Sequence, residues 1–387
     1  MVRNRNSRFV AGLTGLLIAA AATAGVATAG IATASSAATT AAPPVVKHWR
    51  FIFHAPKISP AEQFTQGFTA VVATGRTTGF AFNGQGAGGP AGETAWERTG
   101  RTGATWKKVP FPGSTLESVE YAAASSPSNV WAFGNSQTLT ASRVLRWTGS
   151  KFAVVKTFGG PIWGASVFGP KDVWVYGLAP AGFAFDAPDI GVWHYNRRTW
   201  TRVGKNISGG SALNDHDVWG FTTSSVEHWN GHTWTATSVK SLLPPKAPKP
   251  AASNPQVLGI LALSDSNVYA IGNGTYQVVG GPVVVLHFNG HAWSKLATGQ
   301  AGIGFGPSWQ RTIFDGSGGL WLPMDNGLNG ALLVQYAGGK LIKAAVNPAM
   351  LTIDSVSRIP GTTQVLAGGF THAPDGSNID AVLLQSS

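Results

Sequence analysis

The sequence predicts an all-β fold of seven similar four-stranded units, and the first reason is a phrase that recurs along the chain. The phrase is a turn-forming residue, then Val, then an aromatic residue and, within a few positions, Gly. Clear copies are SNVWAFG at 128–134, KDVWVYG at 171–177, HDVWGFT at 216–222 and SNVYAIG at 266–272. Weaker copies are TGFAFNG at 78–84, GGLWLPM at 318–324 and TQVLAGG at 363–369. Short runs of this kind, bounded by turn residues, are typical of strands.

The second reason is the period of the repeat. From Phe80 to Leu366 the equivalent positions are 43 to 52 residues apart, about the length that four short strands and their turns require. A second phrase follows the first six copies and supplies a fourth strand, which begins at Trp106, Phe152, Trp200, Trp234, Trp293 and Leu341. Seven units packed around an axis bury faces that one unit alone leaves exposed. The predicted fold class is an all-β, seven-bladed β-propeller with four-stranded blades.

The third reason is a strand-like segment near the N-terminus that lies outside the seven repeats. The seventh repeat has no fourth strand, because the chain ends at Ser387. The segment KHWRFI at 47–52 has the same pattern as TWKKV at 105–109. We therefore predict that the N-terminal strand completes the last blade, which removes an exposed sheet edge.

The turns between strands fit the same fold. Asn-Gly pairs at 230–231 and 289–290 supply the positive φ of a tight hairpin. An Asx residue recurs just before the Val of the phrase, at Asn129, Asp172, Asp217 and Asn267. Repetition predicts that these side chains cap turns and are not catalytic carboxylates.

The N-terminus has the pattern of a secretory signal peptide. Arg3, Arg5 and Arg8 precede an apolar stretch. A small-residue cleavage site follows at Ala27–Ala29 or at Ala32–Ala34, and the second is preferred. The predicted division is a signal peptide at 1–34, an Ala/Thr/Pro linker at 35–44 and the propeller at 45–387. An uncleaved membrane anchor is the alternative for the first segment. The mature protein is expected to be secreted, extracellular or attached to the cell envelope.

Charge and cysteine content limit the partners. Removal of 1–34 takes away three Arg and no acid, so the formal charge falls from +11 to +8. This balance fits an anionic polysaccharide, a cell-wall polymer or nucleic acid, or only the solubility of a secreted protein. No Lys/Arg run exceeds two residues, which argues against nucleic acid. We also predict no membrane partner after cleavage and a monomer. The chain has no Cys, and so neither a disulfide nor a thiolate metal site.

Two families of repeat resemble these phrases. The segment from Thr99 to Trp106 resembles the Asp-box turn of sialidase-type propellers, with Arg101 where that motif has Asp. The blade period resembles kelch repeats and the central domain of galactose-oxidase-like proteins, although most blades lack the kelch Gly-Gly pair. The Trp-Asp ending of WD repeats is absent. The resemblance implies the architecture, and fold alone does not imply function.

Neither enzymatic activity of those families carries over. The galactose-oxidase family uses copper and a Tyr–Cys cross-link, which a chain without Cys cannot form. Sialidases share an arginine triad and a Tyr nucleophile, and one sequence does not bring three Arg residues together. We predict no metal and no cofactor, because neither His-x-His nor His-Glu-x-x-His occurs.

Long insertions indicate which part of the fold binds. They fall at 83–93, 178–191, 238–255, 273–282 and 370–380, in the connections expected on one face of the ring. The Pro/Lys segment at 242–255 is either a solvated linker or a grip for an anionic ligand through Lys246 and Lys249.

Candidate binding residues lie where the innermost strands begin, at the mouth of the central channel. Counting back from the repeat aromatics gives Glu120, Trp163, Trp309, Arg311 and Asp354. Aromatic faces beside polar groups suit sugar rings, although the two Trp could equally plug the channel. The preferred function is an exported, non-catalytic propeller that binds an extracellular glycan or protein partner. The alternatives are a secreted glycoside hydrolase or lyase that uses Glu120, Asp186 or Asp354, and an envelope adhesion protein.

Overall fold

The computed structural model contains seven sheets of four antiparallel strands arranged in a ring. It describes residues 48–56, 66–85, 94–102, 105–112, 117–136, 138–179, 187–204, 207–245, 254–274, 282–300, 311–325, 331–344, 346, 351–372 and 379–387. The predicted signal peptide and linker lie outside these residues. The predicted fold class, an all-β seven-bladed propeller, is confirmed.

The first four blades take their strands in chain order. Blade 1 holds β2 (Gln66–Ala73), β3 (Gly79–Gln85), β4 (Thr94–Thr99) and β5 (Thr105–Val109). Blade 2 holds β6 (Glu117–Ser126), β7 (Asn129–Ser136), β8 (Ser142–Trp147) and β9 (Phe152–Phe158). Blade 3 holds β10 (Gly164–Gly169), β11 (Asp172–Tyr176), β12 (Val192–Asn196) and β13 (Trp200–Gly204). Blade 4 holds β14 (Gly209–Asn214), β15 (Asp217–Phe221), β16 (Ser225–Trp229) and β17 (Trp234–Ser238).

The remaining blades follow after a short 3-10 helix at Lys240–Leu242. Blade 5 holds β18 (Gln256–Ser264), β19 (Asn267–Asn273), β20 (Pro282–Phe288) and β21 (Trp293–Gln300). Blade 6 holds β22 (Ile313–Phe314), β23 (Leu320–Asp325), β24 (Ala331–Ala337) and β25 (Lys340–Lys343). Blade 7 holds β26 (Leu351–Arg358), β27 (Val365–His372), β28 (Ile379–Ser386) and, from the other end of the chain, β1 (Trp49–His54). The fourth strands begin within one residue of the predicted positions.

The N-terminal strand closes the ring, as predicted. β1 pairs antiparallel with β28, with Trp49 opposite Ser386 and His54 opposite Val382. The backbone N–H of Ser387 extends the ladder by donating to the carbonyl oxygen of His48 at 2.9 Å. The first and last of the described strands therefore lie in one sheet, and β28 has no unpaired outer edge.

Adjacent blades share their hydrophobic cores, which explains the apolar residues of the repeat. Phe80 and Phe82 of blade 1 pack against Trp147 and Phe152 of blade 2. The ring centroids are 5.0 Å apart for Phe80 and Trp147 and 5.2 Å apart for Phe82 and Phe152. Such edge and tilted contacts are the arrangements that aromatic rings prefer. The repeat aromatics Trp131, Trp174 and Trp321 are fully buried by the same packing.

The recurring Asx residues have a structural role, but a different one from the predicted turn capping. In blade 3, Asp172 Oδ1 accepts a hydrogen bond from Trp174 Nε1 at 3.1 Å and lies 2.8 Å from His194 Nε2, and the indole and imidazole stack at 4.2 Å. Blade 4 repeats the carboxylate–imidazole contact and the stacking, with Asp217 and His228. The side-chain oxygen thus fixes a buried Trp and a neighbouring strand, because buried polar atoms need partners.

The hairpins between third and fourth strands use residues with positive φ, as predicted. Gly231 and Gly290 have φ of 93° and 90°, and Gly149 has 97°. In blade 3 the equivalent position is Arg197, with φ of 85°. A left-handed conformation costs a residue with a Cβ about 1 kcal/mol or more, so blade 3 retains an arginine where glycine would be less strained.

Deleting residues 48–54 from the full chain is expected to lower the thermal midpoint by about 10 °C or more. The deletion uncovers the outer edge of β28 and exposes apolar surface that β1 buries. Circular dichroism melting measures the change. A control deletion of 36–44, which leaves β1 complete, should melt with the parent, and equal melting of both deletions would contradict the closure.

Candidate binding site at the channel mouth

The wall of the central channel is hydrogen-bonded from blade to blade by side-chain hydroxyls. Each innermost strand has one sheet neighbour, so its inward edge carries backbone groups that need other partners. Thr69 Oγ1 of blade 1 donates to the carbonyl oxygen of Val119 in blade 2 at 2.7 Å. Ser355 Oγ of blade 7 accepts from the N–H of Val71 at 3.1 Å. Small hydroxyl residues therefore join neighbouring blades where Val or Leu could not.

Three of these innermost strands contain a β-bulge at the same position. The register skips Thr69 between Phe68 and Ala70 in β2, Glu120 between Val119 and Tyr121 in β6, and Asp354 between Ile353 and Ser355 in β26. In each strand the skipped residue is the fourth. A bulged residue leaves the ladder, so its carbonyl oxygen is available to a partner across the channel.

Arg311 binds all three bulged carbonyls. Its Nη1 donates to the carbonyl oxygens of Thr69 and of Asp354, the latter at 2.6 Å, and its Nη2 donates to the carbonyl oxygen of Glu120. The same Nη2 lies 3.6 Å from Oε2 of the Glu120 side chain. Arg311 precedes β22 by two residues, so one guanidinium from blade 6 joins blades 7, 1 and 2. We call Arg311 and the three bulged residues the arginine clasp.

Tyr121 extends the clasp to blade 3. The guanidinium carbon of Arg311 lies 5.3 Å from the Tyr121 ring centroid, a cation–π contact. The Tyr121 hydroxyl donates a hydrogen bond to the carbonyl oxygen of Trp163. Burial raises the pKa of Tyr121, so the phenol keeps its proton at neutral pH and remains a donor. Five of the seven blades are thereby connected through one arginine and one tyrosine.

Two ionisable side chains of the clasp, Arg311 and Glu120, lie close to each other and are partly shielded from water. The side chain of Arg311 is 8% exposed and that of Glu120 is 25% exposed. Burial raises the pKa of Glu120, while the charge of Arg311 and hydrogen bonds from Ser118 and Arg311 oppose the rise. Arginine does not lose its charge in proteins. The site therefore favours the protonated form of the Glu120 carboxyl more than water does.

A cavity of about 30 Å³ is lined in part by Tyr121. Its lining comes from the innermost strands of blades 2 to 5, with one residue of β15: Tyr121, Gly164, Ala165, Gly209, Gly210, Phe221 and Ile260. A Cβ on Gly210 would lie 2.3 Å from the Tyr176 ring, so only glycine fits there. This volume holds about one water molecule, and a sugar ring would not enter.

The structure brings together three of the five residues that the sequence singled out. Glu120, Arg311 and Asp354 meet in the clasp. Trp163 joins through its backbone oxygen, and its side chain is only 5% exposed. Trp309 lies outside the described residues. A role of these five residues in binding a ligand stays a prediction.

Sequence reasoning missed two members of the site, Thr69 and Tyr121. Thr69 occupies the same strand position as Glu120 and Asp354, so counting along β2 could have found it. Nothing in the sequence marks the bulges that expose the three carbonyls. The loop carboxylates form no catalytic pair among the described residues: Asp186 lies outside them, and Asp189 Oδ1 accepts from the N–H of Gly191 at 2.7 Å.

The two ends of the channel differ in their connections. Because the strands alternate in direction, two kinds of link lie at the same end of the channel: those between the second and third strands of a blade, and those between blades. The clasp lies at this end, which we call the loop face. These links run from three residues at 222–224 to 17 residues at 239–255. The opposite end, the turn face, has links of two residues at 127–128 to six at 359–364. The described residues at the ends of the five predicted insertions lie on the loop face, and 86–93, 180–186, 246–253, 275–281 and 373–378 are outside the described residues.

Parts of the loop face are anchored to the blades. The side-chain amide of Asn135 donates to the carbonyl of Ile162 at 2.9 Å and accepts from its N–H at 2.8 Å. Ser142 Oγ donates to the carbonyl of Gly160 at 2.7 Å. A Cβ on Gly160 would lie 2.4 Å from the carbonyl oxygen of Pro188. Two neighbouring connections thus pack on each other and on blade 2.

Within the described ranges, no three residues among His, Asp and Glu gather as a metal site would require. The described part of the chain also has no helix of the length and apolarity needed to cross a membrane.

The comparison with known proteins supports the fold. No family model and no curated protein sequence matches the chain. The crystal structure of the RRP9 WD40 repeats is 11% identical with a TM-score of 0.52, covering 87% of this chain and 97% of that chain. The structure of U3-55K is 11% identical with a TM-score of 0.53, covering 87% and 98%.

A third structure, the SapL1 lectin in complex with alpha methyl fucoside, is 14% identical with a TM-score of 0.41, covering 69% of this chain and 95% of that chain. A TM-score below 0.5 does not establish a shared fold. The first two likenesses, at their low identity, show a propeller fold and nothing about ligands. The resemblance to Asp-box and kelch repeats stays a prediction.

Replacing Arg311 by Lys is expected to lower the thermal midpoint by roughly 5 to 15 °C. An ammonium group cannot span the three carbonyls that the planar guanidinium reaches, and buried carbonyls that lose a charged donor cost about 2–5 kcal/mol together. Thermal denaturation followed by circular dichroism measures the change. Arg198→Lys, at an exposed position, is the matched control and should melt with the parent. Equal midpoints for both variants would contradict a structural role of the clasp.

Replacing Glu120 by Gln is expected to raise the midpoint relative to the parent by an amount that grows with pH. Because the folded-state pKa of Glu120 is raised, its stabilising contribution is complete below the ordinary value of 4.5 and is lost as pH rises through the folded-state pKa. Gln does not titrate and avoids this loss. Melting curves between about pH 4 and pH 8 test the trend. Glu227→Gln controls for the lost charge, and a gap that narrows with pH would refute the assignment.

Proposed function

We propose that this protein is an exported, non-catalytic binding scaffold that holds an extracellular glycan or protein partner on its loop face. The observation that carries the proposal is the difference between the two ends of the ring. Links of up to 17 residues occur on the loop face, whereas none on the turn face exceeds six. Binding residues concentrate on loops that a rigid scaffold positions.

The clasp supports a partner that lies across the face and does not enter the channel. Arg311 donates to the innermost strands of blades 7, 1 and 2, and the cavity that Tyr121 lines has a volume of only about 30 Å³. Binding energy would then come from the loops around the mouth. Glu120, with a quarter of its side chain exposed, is the clasp carboxyl that such a partner would meet.

Export and a monomeric state belong to the same proposal. Three Arg followed by an apolar, Ala-rich stretch and a small-residue cleavage site support export. Closure by β1 covers the outer edge of β28, so blade 7 ends on a fourth strand as the other six blades do. An Asp-box or kelch ancestry would fit a secreted propeller.

One observation favours the second candidate, a glycoside hydrolase or lyase. Burial raises the pKa of Glu120, and a raised carboxyl pKa is what a general acid needs near neutral pH. The second carboxylate would be Asp354, in the same clasp, or Asp186. Glu120→Gln would then abolish turnover while leaving ligand binding in place.

The decisive experiment separates binding from turnover. Protein expressed from the full chain is screened on a glycan array and incubated with a polysaccharide panel. Saturable binding without new reducing ends or unsaturated sugars is the expected result. Release of either product, abolished by Glu120→Gln, would favour the enzyme.

Replacing Trp309 by Ala should weaken binding to the best array ligand about tenfold, the size of effect that a buried aromatic anchor gives. His291→Ala, on the turn face, is the matched control and should bind like the parent. Equal affinity of the two variants would count against Trp309 as a contact. If no array glycan binds, the glycan form of the proposal fails and a protein partner remains.

A further inference from the structure

The turn face is divided by charge into two halves. The turns of blades 1 to 3 carry six basic residues and no acid: Arg76, Arg101, Lys151, Lys171, Arg197 and Arg198. The turns of blades 4 to 6 carry Asp215, Asp265 and Asp315 with three His, and neither Lys nor Arg. We call the six basic residues the basic arc. Clustering on three adjacent blades, and not net charge, defines it.

The side chains of the basic arc are exposed, and acidic neighbours neutralise little of their positive charge. All six side chains are exposed. Asp172, at the start of β11, is the acid that follows Lys171 directly, and its carboxylate is committed to Trp174 and His194. Arg76 reaches the carbonyl oxygen of Gly361 at 3.4 Å and remains at the surface. The arc therefore presents its positive charge to solvent, where it attracts anions over about a Debye length.

An exposed aromatic ring lies at the inner end of the arc. Phe168 is 51% exposed, whereas every other described Phe, Tyr and Trp side chain is buried or partly buried. It is the bulged residue of β10, between Val167 and Gly169, just before the turn that carries Lys171. The equivalent bulged residues of blades 4 and 5, Leu213 and Leu263, are partly buried against the core. Blade 3 thus places a flat apolar face beside cations.

The strained Arg197 belongs to the same blade. Gly149, Gly231 and Gly290 occupy the equivalent hairpin position with φ between 90° and 97°, and Arg197 has φ of 85°. Its carbonyl accepts from the Tyr195 hydroxyl at 3.0 Å, while its guanidinium is exposed. The Arg197 side chain makes no contact that would repay the strain within the blade. Retained strain at an exposed position points to a function.

We propose that the basic arc, with Phe168, is a second binding surface of this protein and that it takes an anionic polysaccharide. A chain with a charge on successive sugars can meet cations from blade to blade, and Phe168 can pack on the C–H face of one ring. Strand spacing puts the turns of Phe168 and Arg197 about 10 Å apart. Single-stranded nucleic acid needs a series of aromatic platforms, and the described surface offers one.

This surface lies opposite the loop face, so it does not depend on the proposed function. A protein that binds no glycan on its loop face would still bind polyanions here. Variants of the arc leave the clasp untouched, and Trp309→Ala leaves the arc untouched. The two proposals therefore fail separately.

The test measures affinity for named probes by the purified protein from the full chain. Heparin and polygalacturonate are expected to bind, and neutral dextran is not. Binding should weaken steeply between about 50 mM and 300 mM salt, because exposed charges are screened. The triple charge reversal Lys151→Glu, Lys171→Glu, Arg198→Glu should weaken heparin binding at least tenfold.

A control variant removes the same charge elsewhere. Lys240→Glu, Lys295→Glu, Lys343→Glu alters three exposed lysines outside the arc, in the 3-10 helix after blade 4, in blade 5 and in blade 6. Its affinity for heparin should change less than threefold. Equal losses in both triple variants would overturn the proposal, because net charge alone would then explain binding. A 20-residue DNA strand that binds more tightly than both polysaccharides would overturn it as well.

Arg197→Gly separates a binding role from a structural one. Glycine relieves the positive φ, so the thermal midpoint should rise by a few degrees, while the affinity for heparin should fall at least threefold. Phe168→Ser should lower the affinity for polygalacturonate without lowering the midpoint. If Arg197→Gly binds heparin as tightly as the parent does, the Arg197 side chain has no role in binding and the proposal is contradicted.

Discussion

The pairing of β1 with β28 is the constraint on which the rest of the structure depends. Seven sheets close into a ring, and the outer strand of the last sheet comes from the N-terminal part of the chain. Phe53 of β1 packs against Trp96 and Trp106 of blade 1. Beside it, Arg98 of β4 donates to Gln385 of β28 at 2.7 Å. With no disulfide in the chain, backbone pairing and shared apolar cores keep the blades in place. The channel and its two faces exist because this strand is in place.

Closing the ring creates a second requirement at its centre. Seven innermost strands turn unpaired backbone edges toward the channel, and buried backbone groups need partners. Hydroxyl side chains satisfy some of them, and the arginine clasp satisfies three bulged carbonyls with one guanidinium. A single planar group with several donors can do this, whereas a lysine cannot. The same arginine contacts Glu120 in a partly shielded position, where burial raises the pKa of the carboxyl.

The two faces of the ring present different chemistry on one scaffold. The links of the loop face vary in length from three to 17 residues and surround the channel mouth where the clasp lies. The turns of the turn face are short and similar in length, and they differ mainly in charge. They are basic on blades 1 to 3 and acidic or His-bearing on blades 4 to 6. Two such surfaces on opposite ends would let one propeller contact two partners together, for example a glycan on one side and a polyanionic matrix on the other.

The sequence by itself determined the all-β class, the number of blades, the fourth strands and the closing strand, because each depends on a local pattern that repeats. It also placed Glu120, Arg311 and Asp354 near one channel mouth by counting, since equivalent positions in a ring lie at equal height. The clasp itself was decided by the tertiary structure. The register shifts at Thr69, Glu120 and Asp354 have no local signature, and Arg311 meets them from a distant part of the chain only after closure. The role of the Asx residues was likewise decided by packing, because their partners Trp174 and His194 lie on paired strands. Short-range patterns fix the elements, whereas contacts between blades exist only when the ring is complete.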